Sequence, residues 1–247
     1  KPFRKVWLFL YNKKIKKMIL ENIIFDVRES LKQYTDDGEI SNEYIIYLYG
    51  IKRSKYLRQE LNNYQRTTDI SVTQTLCLGL ERVSVNECGL DLDCATIVRT
   101  KRPIPQPLEL HIKSAITSVK PTDRRGIPFN FVTKQKAIYS QHSPFNRGVF
   151  AFLDNDKYIY LISEDEVLNL LECITITGVF EDPLDLANYT NCCSCTSNSL
   201  PCFDEMISNY PLQPHYIDLI KNEIVNELIK KLNIPEDTKN NSVDDKE

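Results

Sequence analysis

Arg99-Thr100-Lys101-Arg102-Pro103-Ile104-Pro105-Gln106-Pro107 divides the chain into two regions of different hydrophobic period. Prolines at alternate positions fix φ near about −65° and remove backbone donors, so the segment neither continues a helix nor fits a central strand. Residues 101–107 are expected to form a stiff, extended connector. The pattern ahead of it is helical, and the pattern behind it is that of strands.

Ahead of the connector, Leu20, Ile24, Val27, Leu31 and Tyr34 step by four and three, which is one face of a helix opening near Met18. Asp36-Asp37-Gly38 stops it. Ser41 is a cap for a second helix, and Ile40 can meet Ile45 in a hydrophobic staple. That helix continues through Tyr44, Leu48, Ile51, Tyr56 and Leu57 to about Leu61, interrupted by Gly50. Two helices joined by a short acidic turn predict an antiparallel hairpin within a helical domain spanning residues 18–100.

The second helix carries Lys52, Arg53, Lys55 and Arg58. Such a run can track phosphates, but Glu60 and Asp69 lie close by and no DNA-reading motif accompanies it. The charge pattern favours a solvated or subunit-contacting face.

Behind the connector the period is two. Leu110, Ile112, Ala115-Ile116 and Val119 predict one strand, and Phe129 to Val132 and Ala137 to Tyr139 predict short ones. Val149 to Leu153 and Tyr158 to Ile162 flank the turn Asp154-Asn155-Asp156-Lys157 and form the clearest hairpin in the chain. Glu164 to Leu170 suits a short helix, and Cys173 to Phe180 is a last β-rich run before Glu181-Asp182-Pro183. Residues 108–183 are therefore expected to be a small antiparallel β module. Asp154-x-Asp156 is not a calcium loop, because the sixth position holds Ile159 in place of glycine and the twelfth holds Asp165.

Residues 184–213 are read as a cysteine-rich loop. Cys192, Cys193, Cys195 and Cys202 crowd there, but adjacent cysteines suit a tetrahedral ion poorly, and no metal is expected. In a chain of 247 residues without a secretory pattern, the eight cysteines read as free thiols. His111, His142 and His215 share no motif with a nucleophile, and seven scattered glycines make no phosphate-binding loop. No catalytic residue and no cofactor are expected, nor is a membrane span.

The last element is an amphipathic helix within residues 214–234, with Pro214 near its start and Pro235 beyond its end. Ile217, Ile220, Ile224, Leu228 and Leu232 line one stripe. Periodicity leaves two readings open: packing on the chain's own core, or docking on another subunit. The flanking prolines make the stripe a candidate interface. Residues 1–17 form a basic arm and 235–247 an acidic tail, and these opposite charges are expected to meet across subunits and loosen as salt rises.

Phe25-Asp26-Val27-Arg28-Glu29-Ser30-Leu31, Tyr47-Leu48-Tyr49-Gly50-Ile51-Lys52-Arg53-Ser54-Lys55-Tyr56-Leu57-Arg58, Thr100-Lys101-Arg102-Pro103-Ile104-Pro105 and Thr177-Gly178-Val179-Phe180-Glu181-Asp182-Pro183 resemble structural proteins of crAss-like tailed bacteriophages. In particular they resemble the ring, or head-to-tail adaptor, proteins that stack below the portal. The resemblance covers roughly Met18 to Pro183. It implies a homo-oligomeric ring, a dodecamer matched to the portal, placed in the head-to-tail connector of the virion. Its partners would be the portal, adjacent ring or tail proteins, and genomic DNA passing through the channel without sequence recognition. The rival reading is a nucleic-acid-binding regulator with the cysteine cluster as a zinc module.

Overall fold

The computed structural model describes residues 19–32, 34, 40–63, 70–84, 96–111, 114–122, 126–141, 148–163, 168, 170–186, 189, 206 and 209–231. Among these the chain is α+β, with four helices and one seven-stranded sheet. Helices α1 (Leu20–Lys32), α2 (Asn42–Asn63) and α4 (Pro214–Lys231) form a helical layer, and α3 (Lys134–Gln141) lies against the sheet. The basic arm, the Asp36-Asp37-Gly38 turn, Leu232 and the acidic tail lie outside the described residues.

The helix ends follow the chemistry of the sequence. Tyr44 donates its N–H to Ser41 Oγ at 3.3 Å, and Ile40 packs in the same cluster as Ile45, as cap and staple require. Pro214 is the first residue of α4, where the missing N–H costs no helical bond. Leu20, Ile23, Ile24, Val27 and Leu31 of α1 meet Ile45, Leu48 and Tyr49 of α2 and Ile217, Ile220, Ile224, Val225 and Leu228 of α4 in one apolar cluster. Tyr34 stands beyond the end of α1 and is exposed, so that stripe ends at Leu31.

Two expectations about the strands are corrected. The helical pattern does not run to residue 100, because β1 (Gln74–Val83) and β2 (Thr96–Thr100) lie ahead of the prolines in the middle of the sheet. Leu76, Leu78 and Leu80 alternate inward along β1 and supply part of the core. Ala137 to Tyr139 belongs to α3, not to a strand; Ala137 donates to the Thr133 carbonyl and is the buried residue between exposed Lys136 and Tyr139.

The remaining strands are β3 (Ile116–Pro121), β4 (Asn130–Phe131), β5 (Phe150–Leu153), β6 (Ile159–Ser163) and β7 (Cys173–Gly178). Their order is β3-β7-β1-β2-β6-β5-β4. All neighbours are antiparallel except β4 with β5, so the sheet is mixed and larger than the expected antiparallel module. The β5–β6 hairpin forms as read, with Lys157 at φ 65° in its turn.

One backbone bond changes the shape of this sheet. Phe129, leading into β4, donates to the Val119 carbonyl of β3 at 2.8 Å, so the two edges meet and the sheet curls on itself. One face is thereby enclosed, and inward residues of every long strand join it, among them Val119, Ile174, Ile176, Leu78, Val98, Leu161 and Ala151. On the outer face α3 covers Ile97, Phe150, Phe152, Tyr160 and Ile162. Counted around the curled sheet, the β5–β6 wall under α3 lies opposite β7.

The proline segment is extended, but it separates no domains. Ile104 donates to the Lys157 carbonyl at 2.8 Å, Leu108 donates to Val179 at 3.0 Å, and Gln106 accepts from Glu181 at 2.9 Å. The prolines fall where no donor is used, and the residues between and after them dock the segment onto the barrel.

Candidate assembly interface

The helical layer is tied to the barrel through Arg53. Tyr49, Arg53 and Leu57 recur every four residues, which places Arg53 on the buried face of α2 rather than on the basic face with Lys52. Arg53 is fully buried, at 0% exposure. Its Nε donates to the Pro211 carbonyl at 2.9 Å and one Nη donates to the Phe180 carbonyl at 2.8 Å. The guanidinium also lies 6.0 Å from the centre of the Tyr210 ring. Burial lowers its pKa from the ordinary value, while burial lifts the Tyr210 hydroxyl to about 12 against the opposing pull of Arg53. Next to it, Ser54 donates to the Glu181 carbonyl at 3.0 Å.

The other basic residues of α2 pair with acids of the same chain. Lys52 lies 3.0 Å from Glu227 and 3.4 Å from Glu223 of α4, and Lys55 lies 3.7 Å from Glu223. Arg58 pairs with Glu181. The Tyr56 hydroxyl donates to Glu223 as well. The expectation of a solvated or subunit-contacting basic face is corrected for Arg53, which is a core residue, and for Lys52, which is largely covered in a seam with α4; Lys55 and Arg58 also pair across that seam and with the segment after β7, but they keep about half of their surface open. Glu223, Glu227, Glu181 and Tyr210 complete the seam, and the sequence reading missed them because their partners are remote in the chain.

The seam carries a pH dependence. The Tyr56 hydrogen bond, with Lys55 and Lys52, holds the Glu223 carboxyl below its ordinary value of 4.5, and Lys231 and Lys52 do the same for Glu227. A depressed folded-state pKa gives stability that is present above about 4.5 and lost as pH falls through the folded value. The urea midpoint should fall as acid is added below that point, and a Glu223→Gln/Glu227→Gln variant should flatten the slope. The groups are partly exposed, so the total effect is expected to be under about 1 kcal/mol.

The candidate stripe of α4 is also seated within the chain. Ile217, Ile220, Ile224 and Leu228 are buried against α1 and α2, and the Tyr49 hydroxyl donates to the Ile217 carbonyl at 3.1 Å. Leu232 lies outside the described residues. An apolar surface is left open on the other side of α2. Tyr47 is 62% exposed and Ile51 is 47% exposed. They line a groove of about 330 Å³ with Ile46, Gly50, Leu184 and Tyr210, bordered by Lys55, Arg58, Glu181 and Asp182. At Gly50 no atom lies within 4 Å of where a Cβ would stand, so the groove opens there to solvent. Asp182 is exposed at its rim; burial raises the pKa of the nearby Asp185, and the negative charge of Asp182 raises it further.

Among the described residues no group of three or more His, Cys, Asp or Glu side chains is placed to hold a metal. Asp154 and Asp156 serve the hairpin: Lys134 donates to Asp154 at 2.7 Å and the Tyr160 hydroxyl donates to Asp156 at 2.6 Å. Cys192, Cys193, Cys195, Cys202 and His142 lie outside the described residues. No helix among those described is long and apolar enough to cross a membrane.

The sequence family described as phage tail ring protein 2 matches residues 22–246. A curated relative, "Ring protein 2" of Bacteroides phage crAss001, is 23% identical over 235 residues, covering 92% of this chain and 98% of that protein.

Proposed function

Because the chain belongs to the phage tail ring protein 2 family, we propose that it is a structural subunit of the virion that assembles into a closed ring in the head-to-tail connector below the portal. The match spans both the helical layer and the barrel, which supports a role for the whole body rather than for one appended module. The observation that carries the reading is the exposed apolar groove on α2, set on a frame whose buried Arg53 holds its walls in place. A ring needs such a surface on a rigid subunit, because a heterologous contact closes only when each copy repeats the same rotation. The copy number is twelve, matched to the portal, and the channel passes genomic DNA without reading its sequence. Adjacent ring or tail proteins bind the ring's two faces. The role is structural rather than catalytic.

Mass measurement of the purified chain and imaging of purified virions test this together. A single closed oligomer of twelve copies, with the chain located between capsid and tail, is the expected result. A chain that stays monomeric at all concentrations and is missing from virions overturns it.

The regulator reading loses Arg53 and Lys52 from its basic face, and Lys55 and Arg58 pair with acids of the same chain. Its remaining support, a zinc module at Cys192 to Cys202, has a direct check. Elemental analysis of protein purified without chelator is expected to give no stoichiometric zinc; about one ion per chain would establish a structural site, since such sites bind tightly.

A further inference from the structure

We infer that the groove on α2 receives the outer face of α3 from a neighbouring copy, with Tyr139 seated beside Tyr47 and Ile51 and Lys136 facing Asp182. The inference rests on the ring reading and names the partner of its groove.

Placement on the barrel is the first reason. Arg53 and Ser54 fasten α2 to Phe180 and Glu181, just after β7, so the groove sits on the β7 side. Helix α3 covers β5 and β6, which lie opposite β7 around the curled sheet. Two mating surfaces on opposite walls of one subunit are what a head-to-tail ring requires; two on the same wall would give a closed dimer.

Shape and charge select α3. Tyr139 is 79% exposed on a regular helix whose inner face is pinned by Ala137 and Ile138 against the sheet. Lys136 stands three residues earlier, on the same outer face, and is exposed. Of the charged groups that line the groove, Arg58 is paired with Glu181 and Lys55 with Glu223, which leaves the exposed Asp182 as the charge open to a cation from outside. A tyrosine entering between Tyr47 and Tyr210, with a lysine set toward Asp182, matches an apolar slot with one unpaired carboxylate at its rim. An aromatic anchor of this kind dominates interface energies, and the rim charges set register and salt dependence.

A heterologous contact has two unlike halves, and this gives a test that an ordinary interface mutation does not. Ile51→Glu blocks the groove and keeps the knob; Tyr139→Glu blocks the knob and keeps the groove. Both sites are exposed, so each variant is expected to keep the far-ultraviolet dichroism and urea midpoint of the wild type, and Lys136→Glu replaces Tyr139→Glu should the latter unfold. Each variant alone should lose ring formation, with association weakened about tenfold or more. Mixed in equal amounts, the two should form a one-to-one heterodimer and nothing larger, because a single intact knob–groove pair remains. Rings persisting in either single variant, or a mixture that stays monomeric while the wild type forms rings, overturn the α3 assignment and leave the ring reading standing. A wild type that forms no oligomer overturns the ring reading itself.

Discussion

Replacing both Ile224 and Leu228 with alanine is expected to unfold the helical layer rather than to free a folded subunit from its neighbours. Both side chains are buried against α1 and α2, at 0% and 2% exposure. Cutting a buried isoleucine or leucine to alanine costs about 2–5 kcal/mol, part from lost transfer and part from the cavity left behind. Two such losses in one cluster give about 6 kcal/mol, comparable with the whole stability of a typical domain, about 5–15 kcal/mol. Urea denaturation followed by far-ultraviolet dichroism checks this. A double variant that keeps the wild-type midpoint and loses only oligomerisation would show the stripe facing another subunit.

That experiment separates two readings which the sequence left open, and the reason is physical. The steps from Ile217 to Leu228 disclose that α4 has an apolar face, but not what covers it. The covering residues, Leu20 to Leu31 of α1 and Ile45 to Tyr49 of α2, are about 170 or more positions away, and nothing local in the chain links them. Caps and turns were legible because they are local: Ser41, Pro214 and the Asp154–Lys157 turn appear where their chemistry places them. The middle of the sheet was hidden by the prolines. Leu76, Leu78 and Leu80 already show a period of two, yet they precede a segment that reads as a domain boundary. In α3 the run Ala137-Ile138-Tyr139 looks β-prone, but Lys134, Gln135 and Lys136 are good helix formers, and the inner face needs only Ala137, Ser140 and part of Ile138 to be covered. The groove was the least legible feature. The sequence places Ile51 in line with Tyr44, Leu48, Tyr56 and Leu57 along α2, and only the stripe through Ile45, Tyr49, Arg53 and Leu57 turns Ile51 outward.

Arg53 sits in that true stripe, and its replacement is expected to cost almost as much as the double cavity. A charge assessed among its neighbours Lys52 and Lys55 looks like part of a solvated face; assessed with Tyr49 and Leu57, four residues away on either side, it is a core position. Its donors satisfy the carbonyls of Pro211 before α4 and of Phe180 and Glu181 after β7. Arg53→Ala strands these acceptors and opens a cavity where three segments meet. Leaving one buried polar group unpaired costs about 1–3 kcal/mol, so a loss of about 4 kcal/mol is expected. Arg53→Lys should recover less than half, because one ammonium on a flexible stem cannot span acceptors on two segments as the planar fork does. One Nη is buried without a hydrogen-bond partner, so the net stabilisation by the arginine is smaller than the cost of cutting it away. Its value lies in fixing geometry: Ser54, Tyr210 and Glu181, beside its partners, are walls of the groove. Chemical denaturation gives the stability term. Ring formation by Arg53→Lys, at a temperature where the variant is still folded, gives the positional one. If Arg53→Ala unfolds within about 1 kcal/mol of the wild type, the three segments are held by apolar packing alone and the groove does not depend on the guanidinium.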